Sequence, residues 1–143
     1  MRNKILIDQF KDILKKDGLK LTPQRQAVLE EVVKSKNHRE CEEIYQAINK
    51  KEKNVSLATV YRTLNVLVEN NFARKMDLGD GRYVYETKIN NPHHDHMVCL
   101  SCGKILEFVS EEIELIQEKI IKKYKFKMHR HVHQLFGFCE ECQ

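Results

Sequence analysis

Several things this sequence does not have narrow its class. Its opening residues, Met1-Arg2-Asn3-Lys4-Ile5, carry no apolar core of a secretory signal. No apolar run approaches the roughly 20 residues that a membrane-spanning helix needs. There is no internal repeat and no low-complexity tract, which sets aside repeat architectures. The His-Glu-x-x-His pattern of many zinc hydrolases is missing. We therefore expect a soluble, cytosolic chain. In a reducing compartment its five cysteines are poor material for a disulfide framework.

What is present divides unevenly. The 143 residues suit one medium domain or two small ones. Residues 1–88 hold 18 basic and 13 acidic side chains, a balance of about +5; residues 89–143 hold 7 and 8, about −1. The basic half is the better partner for a polyanion.

Along the chain, residues 3–17 repeat apolar positions at helical spacing, with Ile5, Phe10, Ile13 and Leu14 as the stripe, and Gly18 as the stop. Thr22-Pro23 starts a second helix as N-cap and first position. Its buried face is Ala27, Val28, Leu29, Val32 and Val33. A third helix is expected from about Glu40 to Lys51, with Ile44, Tyr45, Ala47 and Ile48. Ser56 caps a fourth. There Leu57, Val60, Leu64, Leu67 and Val68 face a core, and Ala58, Thr59, Tyr61, Arg62 and Asn65 face outward. A small, hydroxylated, aromatic and basic face suits a DNA major groove. Residues 72–76 and 82–86 read as two strands around the turn Gly79-Asp80-Gly81. Helices followed by a hairpin is the order of a winged helix-turn-helix.

A polar connector with Pro92 follows, and we place the boundary between domains 1–87 and 88–143 there. Residues 97–100 and 104–109 read as strands flanking a turn at Cys102-Gly103. Ser110 caps a helix over 110–124 with Ile113, Ile116, Ile120 and Ile121 as its stripe, and residues 125–138 alternate as a last strand. The second half is thus a small α/β unit, and the chain is α+β.

The chemistry is concentrated in His93-His94-Asp95-His96-Met97-Val98-Cys99-Leu100-Ser101-Cys102. Cys99/Cys102 and Cys139/Cys142 form two Cys-x-x-Cys knuckles separated by 36 residues. That pattern predicts a closed, structural, four-thiolate zinc site. Cys41 is left over, and we read it as a small buried residue at a helix start. If residues 93–96 are extended, His94 and His96 point one way, and His93 and Asp95 the other. Two metal sites of nitrogen and oxygen chemistry follow from that alternation. The same rule puts His129, His131 and His133 on one face of the last strand. His38 lies in a loop, and Glu86, Glu107 and Glu114 could complete either set. Two functions are open: a metal sensor that controls DNA binding, or a zinc hydrolase with a metal-activated water. The missing base motif and the DNA-reading helix favour the sensor.

Leu-Thr-Pro-Gln-Arg (21–25), Ala-Thr-Val-Tyr-Arg-Thr-Leu (58–64), His-His-Asp-His (93–96), Cys-Leu-Ser-Cys-Gly-Lys (99–104) and the closing Cys139/Cys142 together resemble the ferric uptake regulators, over nearly the whole chain. The resemblance implies a homodimer, with a tetramer also open, built from an N-terminal winged-helix domain and a C-terminal dimerisation domain. It implies a regulatory metal held by His38, Glu86, His94, His96 and Glu107. A second site would use His93, Asp95, Glu114 and His131, and Cys99, Cys102, Cys139 and Cys142 would hold structural Zn2+. It implies contacts to operator DNA from Lys20, Arg25, Tyr61 and Arg62, beside Ala58 and Thr59 on the same helix. Peroxide-sensing relatives tend to carry Asp at the positions of Glu86 and Glu107 and often Asn at Arg62, while zinc-responsive relatives tend to place a thiol in the sensing site. The residues here resemble the iron-responsive branch, a Fe2+ sensor whose ligands would also accept Mn2+ or Zn2+ in vitro.

Overall fold

The computed structural model describes residues 2–51 and 53–143, with side chains from residue 4 onward. It divides into two compact units, Met1–Pro92 and His93–Gln143.

The first unit is four helices and a hairpin: α1 (Arg2–Lys16), α2 (Pro23–Lys34), α3 (Cys41–Asn49), α4 (Leu57–Glu69), β1 (Ala73–Asp77) and β2 (Tyr83–Thr87). Each boundary has a local cause. Gly18 takes φ 69°, and the Leu19 N–H closes back on the Leu14 carbonyl at 2.8 Å, the left-handed C-terminal cap that glycine permits. Thr22 Oγ1 accepts from the Arg25 N–H, with Pro23 in the first turn. At α3 the cap is Glu40, in a reciprocal capping box with Glu43. Asn49 then ties the α3–α4 loop, its side chain donating to the Val55 carbonyl at 3.0 Å and accepting from the Val55 N–H at 2.9 Å. Ser56 Oγ accepts from the Thr59 N–H to start α4.

One core joins these elements. Phe10, Leu14, Val28, Leu29, Val32, Ile44, Ile48, Val60, Leu64, Leu67 and Tyr85 are all buried in it. Two expected core positions are not: Ile5 and Leu57 sit in the first turns of α1 and α4 and are exposed, because a helix's opening turn reaches past the core it packs on. Cys41 is the buried first residue of α3, and burial pushes its thiol up to about 12, which keeps it an unreactive packing residue. The hairpin is antiparallel and centred on Asp80, so Arg74 faces Glu86 and Met76 faces Val84. Residues 88–92 pack on this unit: the Lys88 N–H donates to the Phe72 carbonyl, the Asn91 amide to the Thr87 carbonyl, and Ile89 joins the core. The boundary therefore falls after Pro92, not after residue 87.

The second unit contains β3 (Asp95–Cys99), β4 (Ile105–Phe108), α5 (Glu111–Lys123), β5 (Gln134–Gly137) and a short 3-10 turn (Glu140–Cys142). The sheet order is β4-β3-β5, with β4 antiparallel and β5 parallel to β3. Ser110 Oγ caps α5 through the Ile113 N–H. Two expectations fail here. The last strand covers only Gln134–Gly137, so the period-two argument does not apply to residues 129–133. The stripe on α5 is not buried in its own unit: Ile116 and Ile120 are more than half exposed. Among the described residues no helix is long and apolar enough to cross a membrane.

Candidate metal centres and nucleic-acid face

The cysteine cluster is assembled by parallel pairing. β3 ends on Cys99, whose register partner on β5 is Gly137, so the two knuckles leave neighbouring strands at the same end. Gly103 takes φ 74° and donates its N–H to the Cys99 carbonyl at 2.9 Å, turning Cys102 back toward Cys99. The 3-10 turn does the same for Cys142 over Cys139. All four sulfurs fall within 4.8 Å of one another. Two zinc–sulfur bonds of about 2.3 Å at the tetrahedral angle set sulfurs roughly 3.8 Å apart, and Cys102 Sγ lies 3.8 Å from Cys139 Sγ. Backbone N–H groups of Cys102 and Cys139 aim at Cys99 and bring its thiol down to about 6. At Cys139 burial pushes the thiol up, and Cys142 and Cys99 add to that. Four thiols this close resist ionising together unless a cation joins them. The donor set fits zinc.

A second cluster lies in the same unit. His93 Nε2 and His131 Nε2 are 2.9 Å apart. Glu114 Oε1 stands 3.2 Å from the first and 3.4 Å from the second, and Asp95 Oδ1 stands 3.4 and 3.8 Å from them. Metal–nitrogen and metal–oxygen bonds of about 2.1 Å place tetrahedral ligands roughly 3.4 Å apart, so this spacing also fits a metal. Glu114 arrives from the capped first turn of α5. His131 arrives from the irregular segment before β5, not from a strand, and His129 on that segment is exposed and outside the cluster.

The remaining donors occur as two groups. In the second unit His94 and His96 stack edge-to-face at 4.7 Å, His94 Nε2 lies 3.4 Å from Glu107 Oε1, and the β3–β4 register sets His96 opposite Glu107. His94 and His96 thus separate from His93 and Asp95, as alternation along an extended chain requires. In the first unit His38 Nε2 lies 3.4 Å from Glu86 Oε2. What brings that loop to β2 is a two-residue bridge, the Arg39 N–H to the Tyr85 carbonyl and the reverse, at 3.0 and 2.8 Å. Two further residues grip Glu86: Arg74 Nη1 donates to Oε1 and Asn91 Nδ2 to Oε2, each at 3.0 Å. Sequence reasoning missed both, although a hairpin centred on Asp80 already implies the Arg74–Glu86 pair.

The defining pattern of the Ferric uptake regulator family matches residues 16–136. The chain belongs to the ferric uptake regulator family. The ferric uptake regulation protein of Campylobacter jejuni is 43% identical over 140 residues, 96% of this chain and 88% of that protein. The peroxide-responsive repressor of Staphylococcus epidermidis is 32% identical over 130 residues, 91% of this chain and 85% of that one. The structure of the Helicobacter pylori ferric uptake regulator, described as having three functional metal binding sites, is similar with TM-score 0.86 at 38% identity, covering 99% of this chain and 93% of that chain. As a ferric uptake regulator the chain is a metal-responsive transcriptional regulator and not an enzyme, which removes the hydrolase reading.

The outward face of α4 carries most of the residues expected to meet DNA. Ala58, Tyr61, Arg62 and Asn65 are exposed there, and Thr59 is half-buried. Arg62 Nε donates to the Ala58 carbonyl, which lays the guanidinium along the helix. Tyr61 OH donates to Glu42 Oε1 at 3.2 Å. Lys20 is exposed before α2, and the Arg25 guanidinium donates to its carbonyl.

Proposed function

We propose that the chain is a cytoplasmic, Fe(II)-sensing repressor of iron-uptake genes that binds operator DNA as a homodimer. The reading assigns permanent zinc to Cys99, Cys102, Cys139 and Cys142. It assigns the regulatory ion to His38, Glu86, His94, His96 and Glu107, and a second ion to His93, Asp95, Glu114 and His131.

The observation that carries it is the chemical division among the donors. Four thiols in one closed set suit a resident ion. The histidine and carboxylate sets suit an exchangeable first-row metal. Of the regulatory donors, His38 and Glu86 are paired within the first unit, and His94, His96 and Glu107 are gathered in the second. An ion taking both groups would join the winged helix to the second unit and fix the separation of the two α4 helices in a dimer. The iron assignment is supported by glutamate at 86 and 107, arginine at 62 and the likeness to ferric uptake regulation proteins. The dimer is supported by family membership and by the exposed apolar face of α5.

An ion binding only the closed arrangement, at about a hundred times its Kd, shifts the balance by about 2.7 kcal/mol, or roughly a hundredfold. The test is operator binding under anaerobic conditions, titrated with Fe(II), Mn(II) and Zn(II), on duplexes selected from a random pool. Wild type gains affinity with Fe(II). His94→Ala loses that gain while keeping the cysteine-bound zinc. A His94→Ala protein that responds to metal normally sinks the joining mechanism.

A further inference from the structure

One histidine at the rim of the second cluster belongs to none of the donor sets above. His133 stands one residue ahead of β5, and its Nδ1 lies 3.5 Å from Asp95 Oδ2. We propose that His133 is a positioning residue for the second metal centre: its Nδ1–H holds the outer oxygen of Asp95, so that the inner oxygen faces the ion. This rests on the reading that His93, Asp95, Glu114 and His131 bind a metal.

The two oxygens of Asp95 are already divided. Oδ1 faces His93 and His131, and Oδ2 faces His133. The aspartate is almost fully buried, so water cannot fix its rotation. The His133 ring is held as well. It packs edge-on against Phe108 with centroids 5.6 Å apart, and its backbone carbonyl accepts the His96 N–H at 3.3 Å. Its Nδ1 is buried and has no hydrogen-bond partner among the described residues. A buried imidazole nitrogen is costly to leave so. A few tenths of an ångström bring it to ordinary hydrogen-bond range of the one acceptor in front of it. The neutral Nδ1–H tautomer is sufficient, and no change of charge is needed. The nitrogen addresses the oxygen that points away from His93 and His131, which makes it a holder of the carboxylate and not a further ligand. Groups that hold a ligating carboxylate commonly tune metal affinity by about 10- to 100-fold.

The experiment uses the full chain with its cysteine-bound zinc, in a His94→Ala/His96→Ala background that silences the other histidine donors. Cobalt(II) is titrated anaerobically and followed by visible absorption, with circular dichroism to confirm that every variant is folded. The background protein takes up cobalt, and His131→Ala abolishes that uptake. His133→Phe keeps the ring packing on Phe108 and weakens cobalt binding by about tenfold or more, with the saturated spectrum unchanged. His133→Asn restores affinity, because its side-chain amide nitrogen falls where Nδ1 was. If His133→Phe binds within about twofold of its parent while His131→Ala abolishes uptake, the positioning role is wrong and the metal centre stands. A saturated His133→Phe spectrum of altered intensity makes His133 a ligand and also overturns it. If His131→Ala leaves uptake unchanged, the metal centre itself fails and takes the inference with it.

Discussion

The two units solve the problem of stability by different means. The first buries a continuous apolar core drawn from all four helices and the hairpin. In the second, among the described residues, the only buried apolar side chains are Val98 and Cys99, beside His94, Asp95 and His96. Many of its larger apolar side chains, Leu106, Leu115, Ile116, Ile120, Leu135, Phe136 and Phe138 among them, are at least two-fifths exposed, while Ile105, Phe108, Ile113 and Ile121 are half-buried. A unit this small cannot offset its chain entropy with two buried apolar residues. Something else must hold it, and the function proposed above supplies two candidates: ions on the donor clusters, and a second copy against the exposed apolar face. The contrast also bears on the proposed regulation. A unit whose order depends on ions can report on them, whereas a unit with a complete core can only be moved.

The largest test of this contrast removes the zinc. Cys99→Ser, or chelation of the wild-type ion, should unfold the second unit, since a structural zinc supplies folding free energy of about 10 kcal/mol or more. The first unit should keep its structure. Amide dispersion in NMR spectra would separate the two: resonances from 93–143 collapse, and those from the helical core do not. A zinc-free chain with a folded, dimeric second unit would remove the contrast.

The converse perturbation attacks the core. Leu64 is fully buried in α4, so Leu64→Ala should cost about 2–5 kcal/mol through lost transfer energy and a cavity. Urea unfolding of the first unit would show it, while the zinc affinity of the cysteine site stays unchanged. A matching loss of zinc affinity would mean that the two units are stabilised together.

The same difference explains what was legible in the sequence. Where burial decides structure, pattern was sufficient: the Thr22 and Ser56 caps, the Gly18 stop, the hairpin around Asp80 and the spacing of Val60, Leu64 and Leu67 carry their meaning locally. Where a missing partner decides it, pattern misled. The stripe on α5 reads as a core face because Ile116 and Ile120 are apolar at helical spacing, yet no neighbour in the unit covers them. The alternating histidines at 129, 131 and 133 read as a strand, yet that stretch stays irregular and meets β3 only where the His133 carbonyl accepts the His96 N–H. Among the donors, His93, His94, Asp95 and His96 separate by simple alternation. Which carboxylate joins which histidine is a property of the sheet register and of where α5 begins, and neither is written in local spacing. The Arg39–Tyr85 bridge that delivers His38 to Glu86 is a long-range contact with no motif.

The smallest effect sharpens the comparison by placing one charge in the first unit's apolar surroundings. Glu31 is buried on α2. Arg39 Nη1 donates to its carboxylate at 2.9 Å and Nη2 to its carbonyl at 2.7 Å, and Lys51 pairs with the other carboxylate oxygen. Burial raises the carboxyl, but the Lys51 and Arg39 contacts outweigh it and hold it below the ordinary glutamate value of about 4.5. A carboxyl lowered by folding contributes stability that is fully present above its unfolded value and is lost as pH falls through the folded one. Stability from Glu31 is therefore intact at pH 7 and declines progressively as pH falls below about 4.5. Lys51 is half exposed, so solvent screens part of the attraction, and Glu31→Gln should cost about 1–2 kcal/mol at neutral pH. Urea unfolding of the two proteins should differ at pH 7, and the gap should narrow as pH falls below about 4.5. Both lose their zinc in acid, because protons compete with the ion for thiolates, so the difference between them isolates the first unit. A gap that persists undiminished at low pH would mean that Glu31 acts through packing and not through charge.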